Sequence, residues 1–124
     1  MLSERHVHPT IPASDMDRAK AFYRDKLGFE PKSEGPGGLI YEAGDGSWFL
    51  VYPGQAGTAP HTLAGWTVPD IEAEVAELRA RGVVFEEYPN MPMEDGIATL
   101  PAVRSAWFKD SEGNILGLVQ FLQS

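Results

Sequence analysis

Cysteine is missing from this 124-residue chain, which excludes disulfides, thiolate metal sites and cysteine nucleophiles. Also missing is any apolar run near the ~20 residues that a membrane-spanning helix needs, so no membrane partner is expected. Positive charge is scarce: 10 Lys and Arg face 18 Asp and Glu, a net charge of −8. The deficit is uneven, with 8 acids against 6 bases in residues 1–60 and 10 against 4 in residues 61–124. Nucleic acid and anionic lipid both need a positive face, so neither is an expected partner. A cationic small molecule would be tolerated, although the plainer reading of the charge is solubility. The opening run MLSERHVHPTI lacks the basic stretch and apolar core of a secretory signal, and a cytoplasmic location is expected. No serine-nucleophile motif, phosphate-cradling loop or dinucleotide fingerprint occurs. GDGS and GPGG are too short and sit in turn contexts.

What is present is a folded composition, 43% hydrophobic and 23% charged, on a length that suits one domain with a continuous core. The chain also echoes itself. PASDMDRAKAFYRDKLGF (12–29) and VPDIEAEVAELRARGV (68–83) are both amphipathic helix patterns ending at a glycine, Gly28 and Gly82. Asp15 to Asp70 and Gly28 to Gly82 are offsets of 55 and 54, about half the chain. Ser14, with Asp17 three residues on, reads as the first N-cap, and Asp70 as the second. Extended segments precede each helix (6–12 and 61–68). After the first helix come a weak strand near 29–33, then 38–43 and 48–52 across GDGS. After the second come 83–87, 105–108 and 115–121, the last pair joined by DSEGN, with YPNMPMEDGIATLP (88–101) as an irregular insertion of the kind that often forms a lid. The expectation is one α+β domain spanning residues 1–124. It comprises two paired βαβββ modules, about 5–53 and 61–122, joined by a Gly/Pro-rich linker at about 53–60. Within the final strand, Gly117 is a hole among Ile115, Leu116, Leu118 and Val119, because glycine packs nothing there and costs backbone entropy.

These motifs, PASDMDRAKAFYRDKLGFEP, VPDIEAEVAELRARGVVFEEYP and AWFKDSEGNILGLVQF, resemble the two module signatures of the vicinal oxygen chelate superfamily, the glyoxalase, bleomycin-resistance and dioxygenase group. The resemblance runs from about His8 to Phe121. It implies a U-shaped cleft and a homodimer. In the family's enzymes four cleft positions hold a divalent metal. Here they fall on His8, Phe49, Leu63 and Gly117. One imidazole among those residues cannot hold a catalytic ion, which needs about three N or O ligands. No metal and no cofactor are therefore expected. A slipped register recruiting His6, Glu42 or His61 is the less favoured arrangement.

If the face of those positions holds, the cleft carries His8, Thr10, Phe49, Val51, Leu63, Gly65, Thr67, Ile115, Gly117 and Val119. That is an apolar cup suited to a small molecule. The two glycines read either as bulges or as room for a ligand. By the same alternation Trp48 and Trp66 turn towards the helices, and one of Trp107 and Phe108 faces the pocket. Met91 and Met93 are either adaptable contacts to a ligand or pins for the loop. His8 is a polar anchor or a general base, and its plainer reading is a hydrogen-bonded cleft histidine. The expected function is metal-independent binding of a small apolar or amphipathic molecule, cationic ones included, as in bleomycin-resistance proteins. The competing expectation is a divergent lyase, isomerase or dioxygenase-like enzyme using His8 as base or a relocated metal site.

Overall fold

The computed structural model describes residues 1–122. Two helices carry the internal echo. α1 (Met16–Asp25) and α2 (Ile71–Ala80) are each capped by an aspartate, Asp15 accepting from the Arg18 N–H and Asp70 from the Ala73 N–H. The cap of α1 is thus Asp15 rather than Ser14, which brings the two caps into register at an offset of 55. Each chain exit turns through a glycine with positive φ, Gly28 at 80° and Gly82 at 95°.

Around them lie nine strands: β1 (Thr10–Ala13), β2 (Ser33–Gly35), β3 (Gly38–Glu42), β4 (Trp48–Pro53), β5 (Thr62–Thr67), β6 (Met93–Glu94), β7 (Ile97–Thr99), β8 (Val103–Lys109) and β9 (Ile115–Phe121). They form two mixed sheets, ordered β1-β4-β3-β2 and β5-β9-β8-β7-β6. In each sheet the strand before the helix pairs in parallel with the last strand of its module, β1 with β4 and β5 with β9. Two βαβββ-like modules result. Among the described residues no helix is long and apolar enough to cross a membrane.

The second module departs from the sequence expectation. Residues 83–87 form no strand; they touch the sheet through a single bridge, Phe85 to Phe108, and the Glu86 N–H donating to the Trp107 carbonyl at 2.7 Å. The sheet is extended instead by a hairpin inside the supposedly irregular insertion. Its turn is Asp95-Gly96, with φ of 54° and 78°. Two successive positive φ values are what a tight hairpin matched to strand twist requires. A Cβ on Gly96 would lie 2.8 Å from Arg79 Nη2 and 3.1 Å from Phe85 Cβ, so glycine is required there twice over.

One core joins the modules. Ile11, Ala19, Tyr23, Tyr41, Phe49 and Val51 from the first merge with Ile71, Val75, Phe108 and Leu116 from the second. Phe29 and Phe49 meet Trp66 across the seam, at ring-centroid distances of 6.0 and 5.8 Å. β1 and β5, edge strands of their sheets, touch there. Each sheet therefore has a covered face, packed on helix and core, and an open face.

Candidate functional site

Strand register decides which residues share the open faces. In the first module, Thr10, Leu50, Ile40 and Ser33 form one cross-strand row, with Pro12 beside Tyr52 and Trp48 beside Glu42. In the second, Gly65, Gly117 and Trp107 form a row, and Thr67, Val119, Ser105, Ala98 and Met93 the next.

Several expected cleft residues are placed there: Thr10, Gly65, Thr67, Gly117, Ile115, Val119 and Met93. Leu63 falls in a bulge where the β5–β9 register shifts. Phe49 and Val51 are not on the open face. They lie in the core, Phe49 against Tyr23 and Tyr41 at 5.8 and 5.1 Å between ring centroids. The alternation along β4 is one residue out from the expectation, so Trp48 and Leu50 take the open face. Trp48, expected to turn inward, instead stacks on His8 at 3.8 Å with the rings 18° apart. His8 itself precedes β1, which begins at Thr10. Trp66 does face the core, as expected. Of the pair left open, Phe108 is buried and Trp107 stands on the open face.

The hole at Gly117 is occupied. A Cβ there would lie 3.2 Å from Trp107 Cδ1 and 3.4 Å from Nε1. The indole therefore lies across the glycine, with Gly65 alongside. Half-buried Trp107 thus fills the space beside Gly117 that a side chain there would take, rather than leaving it empty. Tyr88, from the segment before the hairpin, packs at 5.5 Å and 60° to the same indole. Its N–H donates to Met93 Sδ at 3.2 Å, so Met93 pins that segment. Met91 is half-buried in the turn just before the hairpin. Two aromatic platforms thus stand on the open faces, His8–Trp48 on one module and Trp107–Tyr88 on the other.

Behind them a buried polar latch ties the modules together. The turn read from the sequence as a plain connection, DSEGN, supplies Asp110, Glu112 and Asn114. All three are buried. The Tyr23 hydroxyl donates to Asp110 Oδ2 at 2.8 Å. Burial, and then the Asp110 charge, push this phenol well above its usual range. Asn114 Nδ2 donates to the Pro12 carbonyl at 2.8 Å, and its Oδ1 accepts from the linker Gly57 N–H at 3.2 Å. Arg18 grips Glu112 through Nε at 2.8 Å and Nη2 at 3.0 Å, and the Asp15 N–H adds a bond at 2.9 Å. The Arg18 bonds hold the Glu112 carboxyl down at about 2, against the opposing effect of burial. The sequence signal for this latch was two acids and an amide confined to a five-residue turn.

Among the described residues no three His, Asp or Glu side chains come together in a group able to hold a metal ion. Glu42 is engaged by Lys32 at 2.9 Å, and His6 and His61 are exposed. The residues present do not fit a catalytic divalent ion, and no chemical step is derived through one.

Sequence and fold are similar to those of known proteins. Residues 5–118 match the family model described as the Glyoxalase/Bleomycin resistance protein/Dioxygenase superfamily, and the chain belongs to that family. The protein YurT of Bacillus subtilis (strain 168) is 30% identical over 133 residues, covering 92% of this chain and 97% of YurT. The crystal structure of UcmS2 superposes with a TM-score of 0.73 at 26% identity, over 93% of this chain and 96% of that one. TnmS3, an antibiotic binding protein from Streptomyces sp. CB03234, gives a TM-score of 0.69 at 26% identity, over 95% and 98% of the two chains.

Proposed function

We propose that this protein binds a small, flat, largely apolar molecule by stacking it against Trp107, without a metal and without covalent chemistry. The observation that carries the reading is the indole packed against Gly117 and half-exposed on the open face. A rigid aromatic plane, half-exposed beside Tyr88, is a surface for a planar ring and offers no proton donor or acceptor except its own N–H. The His8–Trp48 stack is a second aromatic surface, on the open face of the other module. His8 contributes there as a ring lying flat on another ring; among the described residues it makes no side-chain hydrogen bond of the kind that orients a catalytic base. The net charge of −8 favours a cationic ligand over an anionic one. The antibiotic-binding description of TnmS3 supports the same class of role.

The open faces also support a homodimer. Ile40, Trp48, Leu50 and Tyr52 on one module, and Val103, Trp107, Ile115 and Val119 on the other, are half-exposed, and Phe121 is 63% exposed. Together they offer an apolar surface to a second copy. A second copy covers part of it and closes the cleft. The test is a fluorescence titration with a planar tricyclic cation such as an aminoacridine. Binding quenches the tryptophans, and Trp107→Ala weakens it at least about tenfold, as loss of an aromatic anchor does. Quenching that is undiminished in Trp107→Ala overturns the assignment.

A further inference from the structure

β5 is a strand with two chemically different faces. Gly65 and Thr67 look to the open side, whereas Trp66 looks into the seam between the modules. On that seam lies a cavity of about 180 Å³, walled by Leu27, Phe29, Trp66, Leu78, Phe108 and Leu118. The walls come from four elements, β5, α2, β8 and β9, and the loop after α1, and so from both modules. Phe29 and Trp66 are stacked at 6.0 Å and 30°, and Phe49 closes on both rings edge-on. Leu27, Phe29 and Trp66 stay half-exposed, so the cavity has a mouth.

Water is a poor occupant. It needs two to four polar partners, and only Thr67 and Glu74 among the lining residues carry polar side chains. The volume is that of a single ring, since a dry cavity of about 150 Å³ accepts benzene. One charged residue lines it, Glu74, half-buried on α2. Its carboxylate has no ion-pair or hydrogen-bond partner among the described residues, whereas Glu72 and Glu77 on the same helix are both paired with arginine.

We infer that the seam is a second binding site, separate from the open-face cleft, for an amine carrying one aromatic ring: the ring enters between Phe29, Trp66 and Leu78, and the ammonium stays at the mouth against Glu74. A ligand so placed touches both modules at once. It therefore ties down the same joint as the Asp110–Tyr23 latch from the other end of the core, and raises the stability of the folded chain by mass action.

The test uses the full chain carrying Trp48→Phe and Trp107→Phe. Trp66 is then the sole tryptophan of the three, so its emission reports the seam and not the open faces, and failure of the open-face reading leaves this experiment intact. Phenethylamine, titrated to about 10 mM, the weak end for a ligand of about nine heavy atoms, saturably shifts Trp66 emission and raises the melting temperature. Ethylbenzene does the same, more weakly. Glu74→Gln weakens the amine by about two- to fivefold, the worth of a part-exposed ion pair, and leaves ethylbenzene unchanged. No saturable shift with either probe overturns the site. Equal weakening of both probes by Glu74→Gln overturns the ammonium assignment. A seam covered instead by a second copy also overturns it, and is read as silence to both probes together with conversion of a dimer to a monomer by Leu27→Glu in sedimentation.

Discussion

Gly117 and Trp107 act as one unit: the first has no side chain and the second packs into the space so left. Replacing Gly117 by Val puts a branched side chain where the ring now rests, 3.2 Å from the first added carbon, and the indole must tilt off the sheet. Ligand affinity falls about tenfold in the aminoacridine titration, as for any loss of a preorganised aromatic anchor. The missing side chain at Gly117 was legible in the sequence. Its filling was not, because Trp107 lies ten residues away and reaches Gly117 only through the β8–β9 register. The same limit explains Phe49 and Val51. Alternation along β4 was readable, but which half of it faces the helix depends on where α1 packs. Tyr41 yields a second prediction at this scale. Its hydroxyl is buried, has no partner, and its pKa is pushed up to about 12 by that burial. Tyr41→Phe removes an unsatisfied polar group, so chemical denaturation should show it neutral or more stable by about 1 kcal/mol.

Secondary-structure elements were legible where the chain punctuates itself. Asp15 and Asp70 cap, Gly28 and Gly82 stop, and the apolar stripes between them mark the faces the helices bury. The second-module hairpin was missed because residues 88–101, with three prolines, read as irregular, although Asp95-Gly96 is a strong hairpin signal. The latch was missed because burial of Asp110 and Glu112 is a tertiary fact, and acids in a turn are ordinarily solvated. It has a pH signature. Glu112 titrates at about 2 in the fold, below its unfolded value near 4.3. A depressed carboxyl stabilises fully above the unfolded value, and that contribution is lost as pH falls towards the folded one. Unfolding midpoints should therefore drop between about pH 4.5 and 2. Glu112→Gln leaves Arg18 and the Asp15 N–H facing a weaker acceptor. It should cost about 2 kcal/mol at neutral pH and flatten that part of the acid slope. An unchanged slope in Glu112→Gln would contradict the latch.

At the level of the whole molecule, the doubled pattern in the sequence announced two βαβββ modules, and the fold and family follow it. How the modules join was not legible. Neither Phe29–Trp66 nor Tyr23–Asp110 is a neighbour in sequence, and each contact depends on both modules being in place. Sedimentation equilibrium should find a dimer if a second copy covers the half-exposed apolar residues of the open faces. A monomer at all concentrations would refute that part of the account. The central claim concerns the cleft: an aromatic plane grips the ligand, and no metal takes part. Calorimetric titration of an aminoacridine into chelator-treated protein, with and without added divalent ions, tests it most directly. The account predicts one saturable site, indifferent to metal and weakened at least about tenfold by Trp107→Ala. Binding that requires a divalent ion, or that survives the loss of Trp107, would contradict it.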